Sequence, residues 1–285
     1  MSYTSRNRLT DDGLEPLADA AGTRHTPAEG QARIVSLVPS ITELLFALNL
    51  GTQVVGRTAY CIHPDGKLAG VPRVGGPKNV RLGRLRTLSP SHLIVNIDEN
   101  RREDVEAVHA FVSHVIVTHP LAPTDNLALY RLLGAIFHRQ AQAERLCTTF
   151  ETELRKTLAV AADLPYRRVL YLIWRRPWMT VSRETYISRT LALIHWLTLP
   201  EQSEARYPEV DLKGTAIQEA NLVLFSSEPF PFKAQHMDEF RSIADCSGKR
   251  LALMDGTLTG WYGSRAIEGL RYLRELAQKL SREAR

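Results

Sequence analysis

The segment Arg33-Ile34-Val35-Ser36-Leu37-Val38-Pro39-Ser40-Ile41-Thr42-Glu43-Leu44 joins a short β-branched run to the start of an apolar helix. Residues 34–38 predict a buried strand that Pro39 ends. Ser40 and Glu43 have the spacing of a capping box, so the sequence predicts a helix capped by Ser40. A strand that leads directly into a capped helix opens a β-α unit, and this order predicts an α/β fold.

Strand and helix patterns alternate along the rest of the chain. Short apolar strands between amphipathic helices are typical of parallel sheets that are covered on both faces. In the first half we predict strands at residues 54–56, 93–97 and 115–117 and helices at 82–88 and 102–112. In the second half we predict strands at residues 169–173, 222–225 and 251–254 and helices at 188–197, 234–243 and 266–282.

The length of 285 residues suits two domains of about 100 to 150 residues each. The helical pattern at residues 140–162 predicts one helix about 33 Å long, which is long enough to join two lobes. We therefore predict four regions. They are a disordered N-terminal tail (1–32), an N-terminal α/β lobe (33–123), linking helices that include the backbone helix (124–163), and a C-terminal α/β lobe (164–285).

Composition excludes several classes of protein. The 36 basic and 31 acidic residues give a net charge of +5, but the charges are scattered and form no basic face for nucleic acid. No apolar run reaches the roughly 18 residues of a membrane-spanning helix. Cys61, Cys147 and Cys246 are odd in number and widely spaced, which argues against a disulfide framework. A single bridge between residues 147 and 246, or 61 and 147, stays open.

The first 32 residues carry charges throughout and contain no apolar stretch of the kind found in a signal peptide. The sequence as written therefore predicts a cytoplasmic protein.

Aromatic side chains follow several of the predicted strands. Tyr60 follows the strand at 54–56, Trp174 and Trp178 follow the strand at 169–173, and Phe230 follows the strand at 222–225. The run 261–265, Trp-Tyr-Gly-Ser-Arg, follows the strand at 251–254. Ligands of open α/β sheets bind at the carboxyl ends of the strands. The rings therefore predict a flat, largely apolar ligand, although each ring alone is equally compatible with packing onto its own lobe.

Metal binding and catalysis have weaker support. Cys61 and His63 are weak candidates for metal ligands, because a thiolate and an imidazole without a further His or Cys nearby do not complete a site. The sequence contains no phosphate-binding loop, nucleophile elbow or zinc-protease motif. We predict no catalytic residues. An enzyme that modifies a corrinoid, with Cys61, His63 or Glu228 as candidates, stays open as an alternative.

A family resemblance extends over about residues 33–280. The chain resembles the helical-backbone (class III) periplasmic substrate-binding proteins of ABC transporters, and most of all those that bind cobalamin. The similar segments are residues 33–44, 54–58, 60–64, 74–76 and 88–90 in the first half, and 177–181, 207–210, 227–229 and 261–265 in the second half.

The resemblance implies two α/β lobes with mostly parallel sheets joined by one long backbone helix. It also implies a periplasmic, non-enzymatic protein that holds a cobalamin-like corrinoid or another metal chelate, such as a tetrapyrrole or siderophore, in a cleft between its lobes. The ligand is not covalently attached. We expect Arg175, Arg176 and Arg265 to pair with polar groups at the edge of that ligand.

Individual ligand positions also follow from the resemblance. Tyr60 lies where the family places a ring against the corrin, and residues 260–264 form its second contact loop. Tyr207 lies where cobalamin binders have a tryptophan, and Pro77 and Asn96 replace two other tryptophans. With the aromatic residues above, the predicted ligand-binding residues are Tyr60, Trp174, Trp178, Tyr207, Phe230, Gly260, Trp261, Tyr262, Gly263, Ser264 and Arg265.

Coupling to a permease is a separate expectation. Family members dock on the permease through one surface glutamate on each lobe, and the matching positions here are Gly83 and Lys213. A lysine would repel arginines of the permease, so we expect weak docking. A cytoplasmic carrier or sensor that is not coupled to a transporter is the alternative interpretation.

Overall fold

The computed structural model describes residues 18–282, which divide into two compact α/β units. The first unit comprises residues up to His119 together with Ala128–Arg145. Its elements are β1 (Ile34–Ser36), α1 (Pro39–Ala47), a 3-10 turn (Gly51–Gln53), β2 (Val54–Arg57), β3 (Gly75–Gly76), β4 (Asn79–Val80), α2 (Leu82–Thr87), β5 (His92–Asn96), α3 (Arg102–Val108) and β6 (His114–Thr118).

The main sheet of the first unit is parallel, with the strand order β2-β1-β5-β6. All five residues of β5 are buried, as expected for a strand with covered faces. Val35, Leu93 and Val115 pack on one face with Val108 of α3. Because the strands are parallel, their carboxyl ends share one edge, and the loop with Tyr60 begins there.

Two helices belong partly to each unit. They are α4 (Asp125–Ile136) and α5 (Gln140–Ala161), and the division falls after Leu127 in α4 and after Arg145 in α5. The 22 residues of α5 give a length of about 33 Å. The segment predicted as linking helices, 124–163, is therefore shared between the two units.

The second unit comprises Pro120–Leu127 and the chain from Leu146 onward. Its sheet is parallel, with the order β10-β9-β7-β8. The remaining elements are β7 (Arg167–Leu172), α6 (Tyr186–Ala192), β8 (Trp196–Thr198), α7 (Thr215–Glu219), β9 (Leu222–Ser226), α8 (Ala234–Ile243), β10 (Arg250–Met254), α9 (Gly256–Gly260) and α10 (Arg265–Arg282).

Successive residues of β7 enter two different cores. Val169 and Tyr171 pack with Leu273 of α10 on one face, whereas Leu170 and Leu172 pack with Phe240 of α8 on the other. This alternation is the period of two that a strand imposes on its side chains. Both faces of the sheet are thus covered, and the predicted fold class is confirmed: two α/β units with parallel sheets that share one long helix.

The predicted disordered tail is wrong for its described part, residues 18–32, while residues 1–17 lie outside the described residues. The carboxylate of Asp19 is buried and accepts a hydrogen bond from the Val117 N–H at 2.9 Å. It also lies 3.0 Å from His25 Nε2, and Ala20 N–H donates to the Val117 carbonyl at 2.9 Å. The segment satisfies backbone groups of β6, the edge strand, which explains its order.

Two local predictions also need correction. The helix α1 begins at Pro39 with Val38 as its N-cap, and no side chain caps it. Proline suits the first helical position because it lacks an N–H group, so Ser40 lies inside the helix. The predicted helix at 188–197 ends at Ala192, and Trp196–Thr198 forms β8 beside β7. The positive φ of 62° at His195 separates the two elements.

Candidate ligand-binding site

Three strands of the second unit end side by side. Leu172 of β7 pairs with Phe225 of β9, and Met254 of β10 pairs with Ser226, so the loops after these strands begin at one edge of the sheet. These loops carry the predicted ligand-binding rings. The structure therefore places them where open α/β sheets bind ligands.

Four rings on the segments at this edge are at least partly exposed. Trp174 and Tyr207 are 40% and 39% exposed, and Phe230 meets Trp174 edge-on with their centroids 5.9 Å apart. Trp261 is half-buried and is linked to the Phe230 loop through Glu228. We call Trp174, Tyr207, Phe230 and Trp261 the aromatic surface.

Backbone pairing holds the Tyr207 segment beside the Trp174 loop. Met179 forms antiparallel bridges with Trp174 on one side and with Glu209 on the other. In addition, the Thr180 N–H donates to the Pro208 carbonyl at 3.0 Å. Two segments distant in sequence thus present their exposed rings from neighbouring, hydrogen-bonded backbones.

Trp261 is held by polar contacts. Its Nε1–H donates to Glu228 Oε2 at 2.8 Å, and the guanidinium carbon of Arg265 lies 5.1 Å from the ring centroid. The Trp261 backbone N–H donates to the Thr257 carbonyl at the end of α9. A cation over an indole face is favourable because it meets the negative face of the ring.

A buried network of hydroxyl groups lies beneath these loops. The Tyr171 hydroxyl lies 3.0 Å from Ser226 Oγ and 2.8 Å from Thr259 Oγ1. Ser226 Oγ in turn donates to the Glu228 carbonyl at 2.6 Å. Burial raises the pKa of Tyr171 to about 12, so this phenol stays protonated at neutral pH. The network joins the ends of β7 and β9 to α9.

Two of the predicted ligand-binding rings pack against the core of the second unit, Trp178 half-buried and Tyr262 buried. Trp178 stacks on Phe232 with centroids 5.8 Å apart and meets Phe240 edge-on. Tyr262 is 6% exposed and meets Tyr186 edge-on. Both rings fill apolar space beside their own sheet, because burial of their large faces stabilises the unit. Their direct contact with a ligand stays a prediction.

The other residues of the contact loop have mixed surroundings. Gly260 is half-buried, and Ile187 lies 3.5 Å from where its Cβ would be. The buried Gly263 N–H donates to Asn126 Oδ1 at 2.6 Å, which ties the start of α10 to α4. Ser264 Oγ is buried and, among residues 18–282, has no hydrogen-bond partner.

The arginines of the β7 loop already have a carboxylate partner. Arg175 donates to Glu239 Oε1 of α8 at 2.6 Å from Nη2 and 3.2 Å from Nε. Arg176 lies 3.7 Å from the same oxygen and is largely exposed. The sequence predicts that both guanidinium groups pair with the ligand, whereas in the structure Arg175 already forms an intramolecular ion pair with Glu239.

The first unit presents Tyr60 at the carboxyl edge of its own sheet. The Tyr60 side chain is 65% exposed, and its ring lies over Gly76, where an added Cβ would be 3.3 Å from Tyr60 Cε2. Ile62 and Ile97 are also exposed at this edge. Tyr60 is therefore exposed at this edge, and its contact with a ligand stays a prediction.

Cys61 and His63, the weak candidates for metal ligands, have different neighbours. The Cys61 sulfur is buried, with Thr42 Oγ1 and Thr58 Oγ1 each 3.1 Å away. Burial raises the pKa of the Cys61 thiol, and the hydrogen bonds from the two threonines offset this only in part. His63 Nδ1 instead lies 3.1 Å from Asp65 Oδ1. Within residues 18–282 no group of three or more His, Cys, Asp or Glu is placed to hold a metal ion.

Sequence reasoning missed the roles of two carboxylates at this edge: Glu228 contacts Trp261, and Glu239 contacts Arg175. The sequence offers Glu228 only as a candidate in the enzyme alternative and gives no reason to single out Glu239. The available signal for Glu228 was its position two residues beyond β9, inside an aromatic loop. Glu239 gave no such signal, because its contact with Arg175 joins residues 64 positions apart.

These features define a two-unit ligand-binding protein with aromatic loops at the carboxyl edges of its sheets. A family model described as periplasmic binding protein matches residues 34–198, more than half of the chain. The chain belongs to the periplasmic binding protein family. None of the helices over residues 18–282 is both long and apolar enough to span a membrane.

Individual relatives are more distant. The vitamin B12-binding protein of Photorhabdus laumondii is 23% identical over 216 residues, which cover 75% of this chain and 78% of that protein. The vitamin B12-binding protein of Vibrio cholerae is 24% identical over 205 residues, which cover 71% of each chain. Both relatives are binding proteins by name.

Solved structures of two binding proteins share the fold. The periplasmic vitamin B12-binding protein BtuF of Vibrio cholerae superposes with a TM-score of 0.74 at 16% identity, covering 87% of this chain and 99% of that chain. The periplasmic heme-binding protein RhuT from a Roseiflexus species gives 0.75 at 18% identity, with coverage of 88% and 99%. At these identities the likeness establishes the fold alone.

Proposed function

We propose that this protein reversibly binds a cobalamin-like corrinoid, or another tetrapyrrole metal chelate, without altering it chemically. The observation that carries the proposal is the aromatic surface of Trp174, Tyr207, Phe230 and Trp261 at the carboxyl edge of the second unit. Planar macrocycles stack on such rings, which lose little side-chain entropy when they bind. The exposed Tyr60 supplies a further ring at the equivalent edge of the first unit.

Charge at this edge favours a corrinoid over heme. Arg175 already pairs with Glu239, so the ring-bearing loop offers less positive charge to the two propionate carboxylates of heme. Amide groups, which line the rim of a corrinoid, need hydrogen-bond partners but no compensating cation. The vitamin B12-binding relatives support the same choice, whereas the structural likeness to heme-binding proteins keeps heme as the second ligand to test.

The test is a set of titrations. Purified protein is titrated with cobinamide, cyanocobalamin, heme and a ferric siderophore, followed by absorption and calorimetry, and the mass of the recovered ligand is measured. We expect binding of at least one corrinoid with its mass unchanged. An altered mass would favour the enzyme alternative, and the absence of binding to all four would reject the proposal.

A double variant and a matched control test whether the ligand binds at the aromatic surface. Replacement of both Trp174 and Tyr207 by alanine should lower corrinoid affinity at least tenfold, which is about 1.4 kcal/mol. Tyr166→Ala is the matched control, because Tyr166 is 70% exposed in the same unit but precedes the amino end of β7. Equal losses in both proteins would contradict the proposed location.

The physiological role that we propose is ligand supply to an ABC-type uptake system, on the strength of the family. The positions of the docking glutamates are Gly83 and Lys213, and both are exposed here. This arrangement supports weak docking. A carrier that works without a permease is the alternative, and cell fractionation of the full-length protein, with its native N-terminus, distinguishes the two by location.

A further inference from the structure

We propose that Glu228 is a positioning residue that fixes the orientation of the Trp261 indole, and thereby sets the ligand affinity of the aromatic surface. The inference rests on the proposed function, because it assigns to Glu228 a part in the same site. It differs from a catalytic assignment: Glu228 acts through Trp261 and contacts no reacting atom.

The contact itself is directional. An indole has a single N–H donor, and in Trp261 that donor points at Glu228 Oε2 over 2.8 Å. Hydrogen bonds to a carboxylate are roughly twice as strong as those between neutral groups. Since a tryptophan side chain has only two rotatable bonds, fixing the indole nitrogen leaves the plane of the ring little freedom.

The backbone of Glu228 is itself held by hydrogen bonds. Its carbonyl accepts from Ser226 Oγ at 2.6 Å, and its own N–H donates back to that hydroxyl at 3.2 Å. The hydroxyl also belongs to the buried network with Tyr171. Gly256 packs so closely here that an added Cβ would lie 2.3 Å from Ser226 Oγ and 2.9 Å from the Glu228 nitrogen. The backbone that carries the carboxylate is therefore fixed from two sides.

Trp261 receives a second restraint on its face. The Arg265 guanidinium lies 5.1 Å from the ring centroid, while Glu228 holds the edge of the same ring. The carboxylate and the guanidinium carry opposite charges, and they contact the edge and the face of the same indole ring. A ring that is ordered before the ligand arrives loses less entropy on binding, which raises affinity.

Trp174 provides an internal comparison. It lies at the same edge, and its ring contact is with Phe230. Among residues 18–282 its indole nitrogen has no hydrogen-bond partner. The two tryptophans therefore differ in how their indole groups are held, and only Trp261 should respond to Glu228.

The first experiment needs no ligand. The protein has four tryptophans, so a proton–nitrogen NMR spectrum of the full chain should show four indole N–H signals. Trp174→Phe and Trp261→Phe assign two of them. We expect Glu228→Ala to move the Trp261 signal and accelerate its exchange with water, with little change at Trp174. An unchanged Trp261 signal in Glu228→Ala would overturn the proposal.

The second experiment measures coupling with cobinamide and with heme as probes. Glu228→Ala should lower the affinity of the tighter probe about tenfold. Glu228→Gln, which keeps an acceptor oxygen, should stay within about threefold of wild type. In a Trp261→Phe background, which lacks the donor, Glu228→Ala should change affinity less than twofold. An equal loss in both backgrounds would show that Glu228 acts independently of Trp261 and would contradict the inference.

Control variants distinguish a nonspecific effect of removing a carboxylate, a loss of folding and an absence of ligand binding. Glu209→Ala removes an exposed carboxylate from the same edge and should leave both readouts unchanged. If Glu228→Ala does not fold, as judged by thermal melting, Glu228→Met removes the oxygens while keeping the volume and takes its place. If wild type binds none of the four ligands titrated above, the proposed function fails, and the NMR result still decides whether Glu228 positions Trp261.

Discussion

At the scale of single residues, the same residue type serves different purposes at one edge of the second unit. Trp174 is exposed and meets Phe230 edge-on, whereas Trp178, four residues later, is half-buried and stacks on Phe232. Tyr207 is exposed, whereas Tyr262 is buried against Tyr186. An aromatic residue just past a strand is therefore a sound indicator of the edge, but it does not reveal which way its ring faces.

A single histidine of the first unit should make folding stability depend on pH. His92 is buried, it stacks on His114 with ring centroids 4.6 Å apart, and its Nδ1 lies 2.9 Å from Ser91 Oγ. Burial, followed by the charges of His114 and His25, lowers the pKa of His92 to about 4. The unfolded chain, with a pKa near 6.5, takes up the proton first as pH falls.

We therefore expect His92 to remove stability progressively between about pH 6.5 and pH 4, by about 3 kcal/mol in total, and to contribute nothing above that window. Urea unfolding of wild type and His92→Phe at several pH values measures this, and the variant should show the shallower loss. His109→Gln, at an exposed position, should keep the wild-type slope. Parallel curves for wild type and His92→Phe would contradict the assignment.

At the scale of elements, the long helix α5 is fixed to α10 by a buried carboxylate. Glu153 is 4% exposed and lies 3.1 Å from Arg274 Nη2, 3.4 Å from Arg271 Nε and 3.0 Å from Lys156 Nζ. Burial alone would raise the pKa of Glu153, but its basic partners outweigh burial, so the pKa lies below the usual value. The contact explains how a helix with a largely polar sequence is held in place.

Replacement of Glu153 by alanine should lower the free energy of unfolding by about 2–3 kcal/mol, because it leaves Arg274 partly buried without its partner. Glu151→Ala is the control, at an exposed position on the same helix, and should cost less than about 0.5 kcal/mol. Denaturant unfolding at pH 7 compares the two.

The depressed pKa fixes the pH dependence of this effect. Glu153 stabilises the fold above the pKa of an unfolded glutamate, about 4.3, and loses that contribution as pH falls through the lower folded pKa. The difference between wild type and Glu153→Ala should therefore shrink in acid. A difference that stays constant down to pH 2 would argue that the alanine acts through lost packing.

At the scale of the whole molecule, the chain combines a family fold with altered docking positions. The match to the periplasmic binding protein family and the vitamin B12-binding relatives describe the fold and the class of protein. Gly83 and Lys213, both exposed, occupy the places where the family resemblance implies glutamates. The net charge of +5 adds no attraction to a basic docking surface.

Restoring the glutamates should strengthen docking. Gly83→Glu combined with Lys213→Glu is expected to bind a vitamin B12-type ABC permease in lipid nanodiscs about tenfold more tightly than wild type. The gain should be smaller at high salt because surface charges are screened. Arg155→Glu changes the charge as Lys213→Glu does, at an exposed position on α5, and should give no gain. Equal gains from both substitutions would indicate a nonspecific charge effect.

The sequence by itself determined the alternation of strands and helices, the parallel sheets and the length of α5. The spacing of hydrophobic residues and the residues that end each strand are local properties of the sequence. It also determined which loops lie at the carboxyl edges. It did not determine β8, since Trp196–Thr198 becomes a strand by pairing with β7, nor the order of residues 18–32, which comes from contact between Asp19 and Val117. The tertiary structure alone decided which rings face outward and that Glu228 and Glu239 contact Trp261 and Arg175, because those contacts join residues far apart in the chain.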